Sequence, residues 1–251
     1  MSGAIRYTLI IPCYNEAEGI LPLREALQPV IEQLMADGGV EIIFVDDGST
    51  DGTGALLRAA FADSSFVRIL AHPRNLGLGA ALRTGFQAAR GEILITTDSD
   101  GTYPFAEIPR LLHYLREDVD LVTASPYHPG GGIEGVPPWR QIFSFGASFL
   151  YRLILRSPIR TYTALFRAYR RRVVETISIE ADGYVAVAEI MARAIRHGFR
   201  VAEYPTTLRV RRFGQSKMKI LRTILDHLRL MVRLIRSGRP STPIPSRSPS
   251  G

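Results

Sequence analysis

The first half of the chain alternates short apolar runs, rich in β-branched residues, with longer segments of helical periodicity. Five runs are predicted to be strands, at residues 7–11, 41–45, 67–71, 92–97 and 120–123. Between them, apolar residues recur three or four positions apart at residues 20–35, 54–61, 80–90 and 107–116. Strands that alternate with helices form βαβ units and a parallel sheet. The sequence therefore predicts an α/β fold with a mainly parallel central sheet flanked by helices.

The second half is less regular. A loop rich in Gly and Pro is predicted first, followed by a helix, a strand, a second helix and an extended segment, at residues 126–138, 139–156, 164–169, 185–197 and 199–210. From residue 237 the chain is almost entirely Ser, Pro, Arg and Gly, which is typical of disorder. We predict one α/β domain over residues 1–215, an amphipathic basic helix over 216–237 and a disordered tail over 238–251.

Charge and hydropathy limit the partners and the compartment. The 251-residue chain carries a net charge of +7 and one cysteine, Cys13. A basic chain favours an anionic partner, which could be nucleic acid, an anionic membrane surface or a phosphorylated substrate. No apolar run approaches the roughly 18 residues that span a bilayer, and no secretory signal pattern opens the chain. Together with the lone cysteine, these features predict a cytoplasmic protein without a transmembrane helix.

Polar clusters follow three of the predicted strands, at residues 12–16, 46–53 and 98–100. The carboxyl ends of neighbouring parallel strands meet at one edge of a sheet, where open α/β folds bind ligands. Asp98 and Asp100 offer the hard oxygen ligands that suit Mg²⁺ or Mn²⁺ bound to a diphosphate. Asp is also frequent in turns and helix starts. The convergence of all three clusters, more than any single one, favours a ligand site.

A glycine-rich turn at residues 75–79 places small residues at the start of a predicted helix, where backbone approaches a ligand closely. It lacks the spacing of a dinucleotide-binding turn and the Lys and Ser/Thr of a P-loop, so neither NAD binding nor ATP hydrolysis is favoured. None of the five histidines lies in a shared motif. If a general base is required, Glu189 is the candidate, although Glu on a helix is more often solvated or ion-paired.

Six short motifs follow one another along residues 7–220. They are Pro12-x-Tyr14-Asn15-Glu16, Asp46-Asp47-Gly48-Ser49-x-Asp51-Gly52-Thr53, Asn75-x-Gly77-x-Gly79, Asp98-x-Asp100, Phe166-Arg167-x-Tyr169-Arg170 and Gly214-x-Ser216-Lys217-Met218. Together they resemble the family 2 glycosyltransferases of the Rossmann-like GT-A fold, and most of all the dolichol-phosphate mannosyltransferase and polyprenyl-phosphate glycosyltransferase branch. The resemblance implies an inverting, metal-dependent transfer of a mannose- or glucose-type hexose. The implied donor is UDP- or GDP-linked, and the implied acceptor is a polyprenyl phosphate at the cytoplasmic membrane face.

The resemblance also implies roles for individual positions. Nucleotide-sugar binding is implied for Pro12, Tyr14, Asn15, Glu16, Val45, Asp47, Asp98, Ser99, Asp100, Arg211 and Lys217. Asp98 and Asp100 are the implied ligands of Mg²⁺ or Mn²⁺, and with Lys217 they form the implied catalytic set. The implied acceptor-binding residues are Arg140, Ser144 and Arg167.

Three positions depart from this pattern. Pro126 stands where the dolichol-phosphate enzymes usually carry Arg, Thr102 where they often carry Gln, and Thr161 where Asp is usual. The last departure keeps an alternative open, transfer to a hydroxyl of a glycan or other cell-envelope acceptor. A hydroxyl needs a general base, whereas a phosphate monoester, with a second pKa of about 6, is already largely anionic. A non-catalytic basic binding protein is a further alternative, which the presence of both aspartates disfavours.

Residues 217–236 combine two helical faces. An apolar face holds Leu221, Leu225, Leu228, Val232 and Ile235, and a mainly basic face one position later holds Arg222, Asp226, Arg229, Arg233 and Arg236. Such a helix lies in a membrane interface with its cations near anionic headgroups, or packs on the domain with a solvated face. A second apolar helix at residues 142–155 favours peripheral contact with the inner membrane face. Nucleic acid is disfavoured because no aromatic motif is interleaved with the cations, and the sequence leaves homo-oligomerisation open.

Overall fold

The computed structural model describes residues 5–210 and 220–237. The strands in chain order are β1 (Tyr7–Cys13), β2 (Val40–Asp46), β3 (Val67–Ala71), β4 (Ile93–Thr96), β5 (Leu121–Ser125), β6 (Gly132–Glu134), β7 (Arg167–Arg170), β8 (Val201–Pro205) and β9 (Thr207–Arg209). The α-helices are α1 (Ile20–Ala36), α2 (Thr53–Ala60), α3 (Leu78–Ala88), α4 (Ile108–His113), α5 (Pro138–Leu155), α6 (Arg171–Thr176), α7 (Ala186–Arg196) and α8 (Ile220–Arg236).

Seven strands form the central sheet in the order β3-β2-β1-β4-β7-β5-β8. Strand β7 runs antiparallel to β4 and β5, while the other neighbours pair in parallel, which confirms the predicted mainly parallel sheet. The chain leaves β1 toward β2 and β3 and then returns to the other side of β1 as β4. A crevice opens at such a switch point, outside the carboxyl ends of the strands. The polar clusters after β1, β2 and β4 therefore meet at one edge.

Helices cover both faces of the sheet, so the central strands β1 and β2 are buried along almost their whole length and mainly apolar. On β1, Leu9 and Ile11 face the core beneath α1, α2 and α4, whereas Ile10 faces the core beneath α3 and α7. Helices α5 and α8 add Tyr151 and Leu230 to this second core. The two helices thus lie on one face of the sheet, and α1 lies on the other.

Several elements differ from those predicted. The segment 199–210, predicted as one extended piece, is divided at Thr206 into β8 in the main sheet and β9 in a separate sheet. The predicted loop 126–138 contains β6, which pairs in parallel with β9. The predicted helix from residue 217 is described only from Ile220. The predicted tail and residues 211–219 lie outside the described residues, so the proposed domain boundaries stay predictions.

Candidate active site

The loops that follow β1 and β2 are bound to each other by hydrogen bonds. The amide of Asn15 donates to Ser49 Oγ at 2.9 Å, and Asn15 Oδ1 accepts from the amide of Thr50 at 2.8 Å. The amide of Glu16 donates to Thr53 Oγ1 at 2.9 Å. Asn15 has a φ of 52°, in the left-handed region that Asn tolerates better than most residues. The motif residues after β1 are therefore held in a fixed loop.

The side chains of this loop are only partly covered, while the strand ends beneath it are buried. Pro12, Tyr14, Asn15 and Glu16 are half-buried, and Val45 is fully buried. Cys13 is 2% exposed, and burial raises the pKa of its thiol. Binding of a nucleotide by these half-buried residues stays a prediction.

Asp47 holds the glycine-rich turn, residues 75–79, against the end of β2. Its Oδ1 accepts from the amide of Leu76 at 2.9 Å, and its Oδ2 accepts from the amide of Gly77 at 2.8 Å. The same carboxylate lies 2.7 Å from His72 Nδ1. Since Asp47 is only 3% exposed, its position indicates that it shapes the turn. Direct contact between Asp47 and a nucleotide stays a prediction.

The glycine-rich turn packs backbone to backbone against the loop that precedes α7. The amide of Gly79 donates to the carbonyl of Asp182 at 2.6 Å. A Cβ at Gly79 would lie 2.0 Å from the oxygen of Ala181, and one at Gly77 would lie 2.4 Å from the oxygen of Asp182. Both positions therefore require glycine.

We expect Gly79→Ala to lower the free energy of unfolding by about 1–3 kcal/mol, because its methyl group has no room beside Ala181. Gly183→Ala is the matched control, since an added Cβ there meets nothing within 4 Å. This control is expected to stay within about 0.5 kcal/mol of the parent protein. Urea denaturation followed by circular dichroism measures both values, and equal stabilities for the two variants would contradict the packing described here.

Asp98, Ser99 and Asp100 follow β4 at the switch point. Asp100 is 5% exposed, and its Oδ1 accepts from the Thr102 amide at 2.9 Å and from Thr102 Oγ1 at 2.5 Å. Behind this loop, Tyr103 is buried, and burial together with the charge of Asp98 raises the pKa of its hydroxyl. Thr102 thus orients the Asp100 carboxylate, and Tyr103 stays neutral near neutral pH.

The two aspartates suit a divalent ion that is bound together with a substrate. Among residues 5–210 and 220–237, no group of three or more His, Cys, Asp or Glu side chains forms a complete protein cage. Mg²⁺ is usually held by one or two carboxylates plus water and substrate phosphates, at oxygen ligands only. Asp98 and Asp100 supply such a partial set beside an open crevice.

A first cavity of about 480 Å³ extends from Asp98 and Asp100 to the space between α5 and α8. Its walls are mainly apolar and include Tyr127, Val136, Trp139, Ile142, Phe143, Leu150, Ile224 and Met231. Arg140 and Ser144 also line it. Arg140 stacks on Trp139 at 5.2 Å, and its buried Nε has no hydrogen-bond partner in the described part of the chain. The structure thus brings Arg140 and Ser144 to the cavity that contains the two aspartates.

Arg167 does not share this position, which corrects the expectation that it faces the acceptor. It is fully buried, and its Nη1 and Nη2 donate to the carbonyls of Val187 at 2.6 Å and Tyr162 at 2.8 Å. Its Nε donates to Thr123 Oγ1 at 3.2 Å. Burial lowers the pKa of the guanidinium. Arg167 therefore braces β7 against β5 and α7 from within the core.

Two glutamates have roles that the motifs did not reveal. Glu203 Oε1, on β8, accepts from the amides of Arg160 at 2.9 Å and Thr161 at 3.1 Å. It thus supplies a carboxylate beside Thr161, the position where Asp is usual. Glu189 is fully buried and accepts from the amide of Ala181 at 2.9 Å. Glu189 is ion-paired, at 2.8 Å from Arg193, as is common for Glu on a helix.

Two predicted residues, Arg211 and Lys217, lie outside the described residues, and their roles stay predictions.

Among the described helices, none is both long and apolar enough to cross a membrane. The described site therefore consists of the β1 loop, the glycine-rich turn held by Asp47, the two aspartates after β4 and the first cavity.

Comparison with known proteins adds sequence and fold relationships to this geometry. The model of the glycosyl transferase family 2 matches residues 8–178. The chain is 38% identical to the polyprenol monophosphomannose synthase of Mycolicibacterium smegmatis, over 85% of this chain and 81% of that protein. It is 33% identical to the undecaprenyl-phosphate mannosyltransferase of Micrococcus luteus, over 85% of this chain and 88% of that protein. The glucosyl-3-phosphoglycerate synthase from Mycobacterium tuberculosis, crystallised with Mg²⁺ and uridine diphosphate, shares the fold with a TM-score of 0.69 and 21% identity, over 93% of this chain and 82% of that chain.

Proposed function

Because the chain is a member of the glycosyl transferase family 2, we propose that it transfers a hexose from a nucleotide diphosphate sugar to a polyprenyl phosphate, with Mg²⁺ or Mn²⁺ bound. The predicted family and its polyprenyl-phosphate branch are confirmed by the family match and the two mannosyltransferase relatives. Mannose is therefore the first hexose to test. The product analysis described below also determines whether the donor is UDP-linked or GDP-linked.

One observation supports polyprenyl phosphate as the acceptor: an apolar cavity that ends at the two aspartates and has Arg140 in its wall. An isoprenoid chain is stabilised by apolar walls, at about 25 cal/mol for each Å² removed from water. A glycan would place hydroxyl groups against the same walls and lose hydrogen bonds to water. The cavity therefore supports a lipid acceptor over the glycan alternative.

The residues of the site divide the chemistry between the two substrates. Asp98 and Asp100 would hold the divalent ion, and the ion would supply neutralisation of charge on the departing nucleoside diphosphate. Arg140 and Ser144 would orient the acceptor phosphate, which needs no general base because it is already largely anionic near neutral pH. A phosphate oxygen then forms a bond to the anomeric carbon as the bond to the diphosphate breaks, with inversion of configuration. Arg211 and Lys217 are the proposed further cations at the diphosphate.

The function is tested by product analysis with the full chain. The protein is incubated with Mg²⁺ or Mn²⁺, each of a panel of UDP- and GDP-hexoses, and one of three acceptors: a short polyprenyl phosphate, the same polyprenol without phosphate, or an oligosaccharide. Mass spectrometry should find a polyprenyl phosphohexose with one donor base, and no product from the unphosphorylated polyprenol. Transfer to the oligosaccharide alone would overturn the proposed acceptor.

We further propose that the protein contacts the inner face of the cell membrane through an apolar ridge on α5 and α8. The ridge consists of Ile142, Phe145, Phe149, Leu153, Leu221, Leu225, Leu228, Val232 and Ile235, all exposed. The helices are joined at Tyr151, whose hydroxyl lies 2.9 Å from His227 Nδ1, and burial lowers the pKa of His227 to about 4. Large exposed apolar surfaces mark protein or membrane contacts. The arginines of α8 lie one position later, which suits anionic headgroups and makes a membrane the proposed partner.

We expect the double variant Ile142→Glu, Leu225→Glu to bind vesicles at least about tenfold more weakly than the parent protein. Each side chain contributes roughly 1.5–3 kcal/mol when buried in an apolar phase, and 1.4 kcal/mol is a factor of ten. Met35→Glu is the control, since Met35 is exposed on α1 across the sheet. Cosedimentation with vesicles containing phosphatidylglycerol measures the affinity. Equal binding by all three proteins would exclude the ridge as the contact surface.

A further inference from the structure

A second cavity of about 740 Å³ adjoins the first and is bounded by four elements of the chain. These are the glycine-rich turn, α8, Glu189 of α7, and residues 180–185, which we term the pre-α7 loop. Leu78, Tyr184 and Thr223 line both cavities. The second cavity therefore adjoins the cavity that Asp98 and Asp100 line, and the glycine-rich turn forms part of its wall.

An ion-pair network joins the pre-α7 loop to α8. Glu180 is shared by two arginines, with Arg193 Nη2 2.6 Å from Oε1 and Arg233 Nη1 2.6 Å from Oε2. Arg193 also pairs with Glu189 at 2.8 Å, and Glu189 Oε2 accepts from the amides of Glu180 and Ala181. The loop is thus held from within the core by Glu189 and from α8 by Arg233.

The pre-α7 loop also contacts the glycine-rich turn, and the two segments are tightly packed. Gly79 donates to the Asp182 carbonyl, and there is no space for a Cβ at Gly79. From the other side of the turn, Asp47 accepts from two of its amides. Arg83 on α3 donates to the carbonyl of Ala181 at 3.0 Å and pairs with Asp182. A shift of the loop must therefore move the turn.

We propose that Glu180 and Arg233 are positioning residues for the nucleotide donor. They fix the pre-α7 loop to α8 and thereby hold the glycine-rich turn in its donor-binding geometry. This inference rests on the proposed function, because it takes the turn to contact the nucleotide sugar. The side chains of Arg233 and Glu180 are 56% and 54% exposed. Exposed ion pairs contribute little to folding stability. We therefore expect loss of the Glu180–Arg233 pair to change donor affinity more than folding stability.

Arg233→Glu places a second carboxylate beside Glu180 and is expected to weaken nucleotide binding about fivefold. Arg233→Lys keeps the charge and is expected to stay within about twofold of the parent protein. Arg236→Glu is the matched control, because it makes the same charge change on the same helix and Arg236 has no ion pair in the described part of the chain. Calorimetric titration of the full chain with GDP and with UDP, each with Mn²⁺, measures the affinity, and thermal unfolding should be unchanged in all three variants.

A double-mutant cycle separates this role from a general effect of charge. Glu180→Gln and Arg233→Gln should each weaken nucleotide binding. The combined variant should lose no more affinity than the more strongly affected single variant. Equal affinities for Arg233→Glu and Arg236→Glu, or additive losses in the cycle, would overturn the inference while leaving the proposed function intact. Failure of the parent protein to bind either nucleotide with Mn²⁺ would instead overturn the proposed function, and this inference with it.

Discussion

Replacement of Asp100 by alanine is expected to lower kcat for hexose transfer by about 1,000-fold, or about 4 kcal/mol of transition-state stabilisation. Asp100 is nearly buried in the loop after β4, and it lines the first cavity, where charge would develop on the departing diphosphate in the proposed reaction. Its loss removes one of the two carboxylates that would hold the divalent ion. The rate of polyprenyl phosphohexose formation, measured with saturating Mn²⁺, gives the value.

A second substitution separates charge from loop structure. Asp100→Asn keeps an oxygen for the two Thr102 donors but removes the negative charge. It should therefore unfold at the same temperature as the parent protein and still lose turnover by a similar factor. Asp63→Ala, at an exposed position after α2, is the control. Paramagnetic resonance of Mn²⁺ with bound nucleotide tests the ion directly, and parental turnover by Asp100→Ala would remove the metal assignment.

Arg140→Ala is expected to lower kcat/KM for the polyprenyl phosphate by about 100-fold, which corresponds to about 2.7 kcal/mol. Arg140 is a cation in the wall of the first cavity, and its buried Nε has no partner in the described part of the chain. A phosphate monoester accepts bidentate hydrogen bonds from a guanidinium. Initial rates at varied acceptor concentration measure the effect, and donor affinity should be unchanged.

Two further variants test the geometry of that contact. Arg140→Lys keeps the charge but loses the planar fork and the stacking on Trp139. Its kcat/KM for the polyprenyl phosphate should be about tenfold higher than that of Arg140→Ala. Arg152→Ala removes an exposed cation from the same helix and should leave kcat/KM unchanged. An equal loss of kcat/KM in Arg152→Ala and Arg140→Ala would show that the effect comes from the overall charge of the helix. It would contradict a specific contact between Arg140 and the acceptor phosphate.

The strand ends were predictable from sequence because their signal is local. Buried β-branched runs that stop abruptly at Asp46 or Asp98 identify both the strand and its polar end without knowledge of the partners. Parallel pairing then requires these ends to meet at one edge. The register confirms it, since Cys13 of β1 lies opposite Asp46 of β2.

The remaining features depend on contacts between distant segments. Strand β7 enters between β4 and β5 in the opposite direction, which no local signal specifies. The family resemblance implied an acceptor-binding role for Arg167, yet Thr123 and two carbonyls accept its hydrogen bonds in the core. Glu203 carries no motif, and its role follows only from the approach of β8 to residue 161.

The burial of Cys13 makes the chain suited to site-directed fluorescence labelling. Its thiol, the only one in the sequence, is 2% exposed with a raised pKa, and maleimides react with exposed thiolates. A cysteine introduced at Val232, 47% exposed on α8, would therefore take up the dye selectively in the folded protein. The emission colour of a polarity-sensitive dye at that position would then report, during turnover, whether the helix is immersed in lipid.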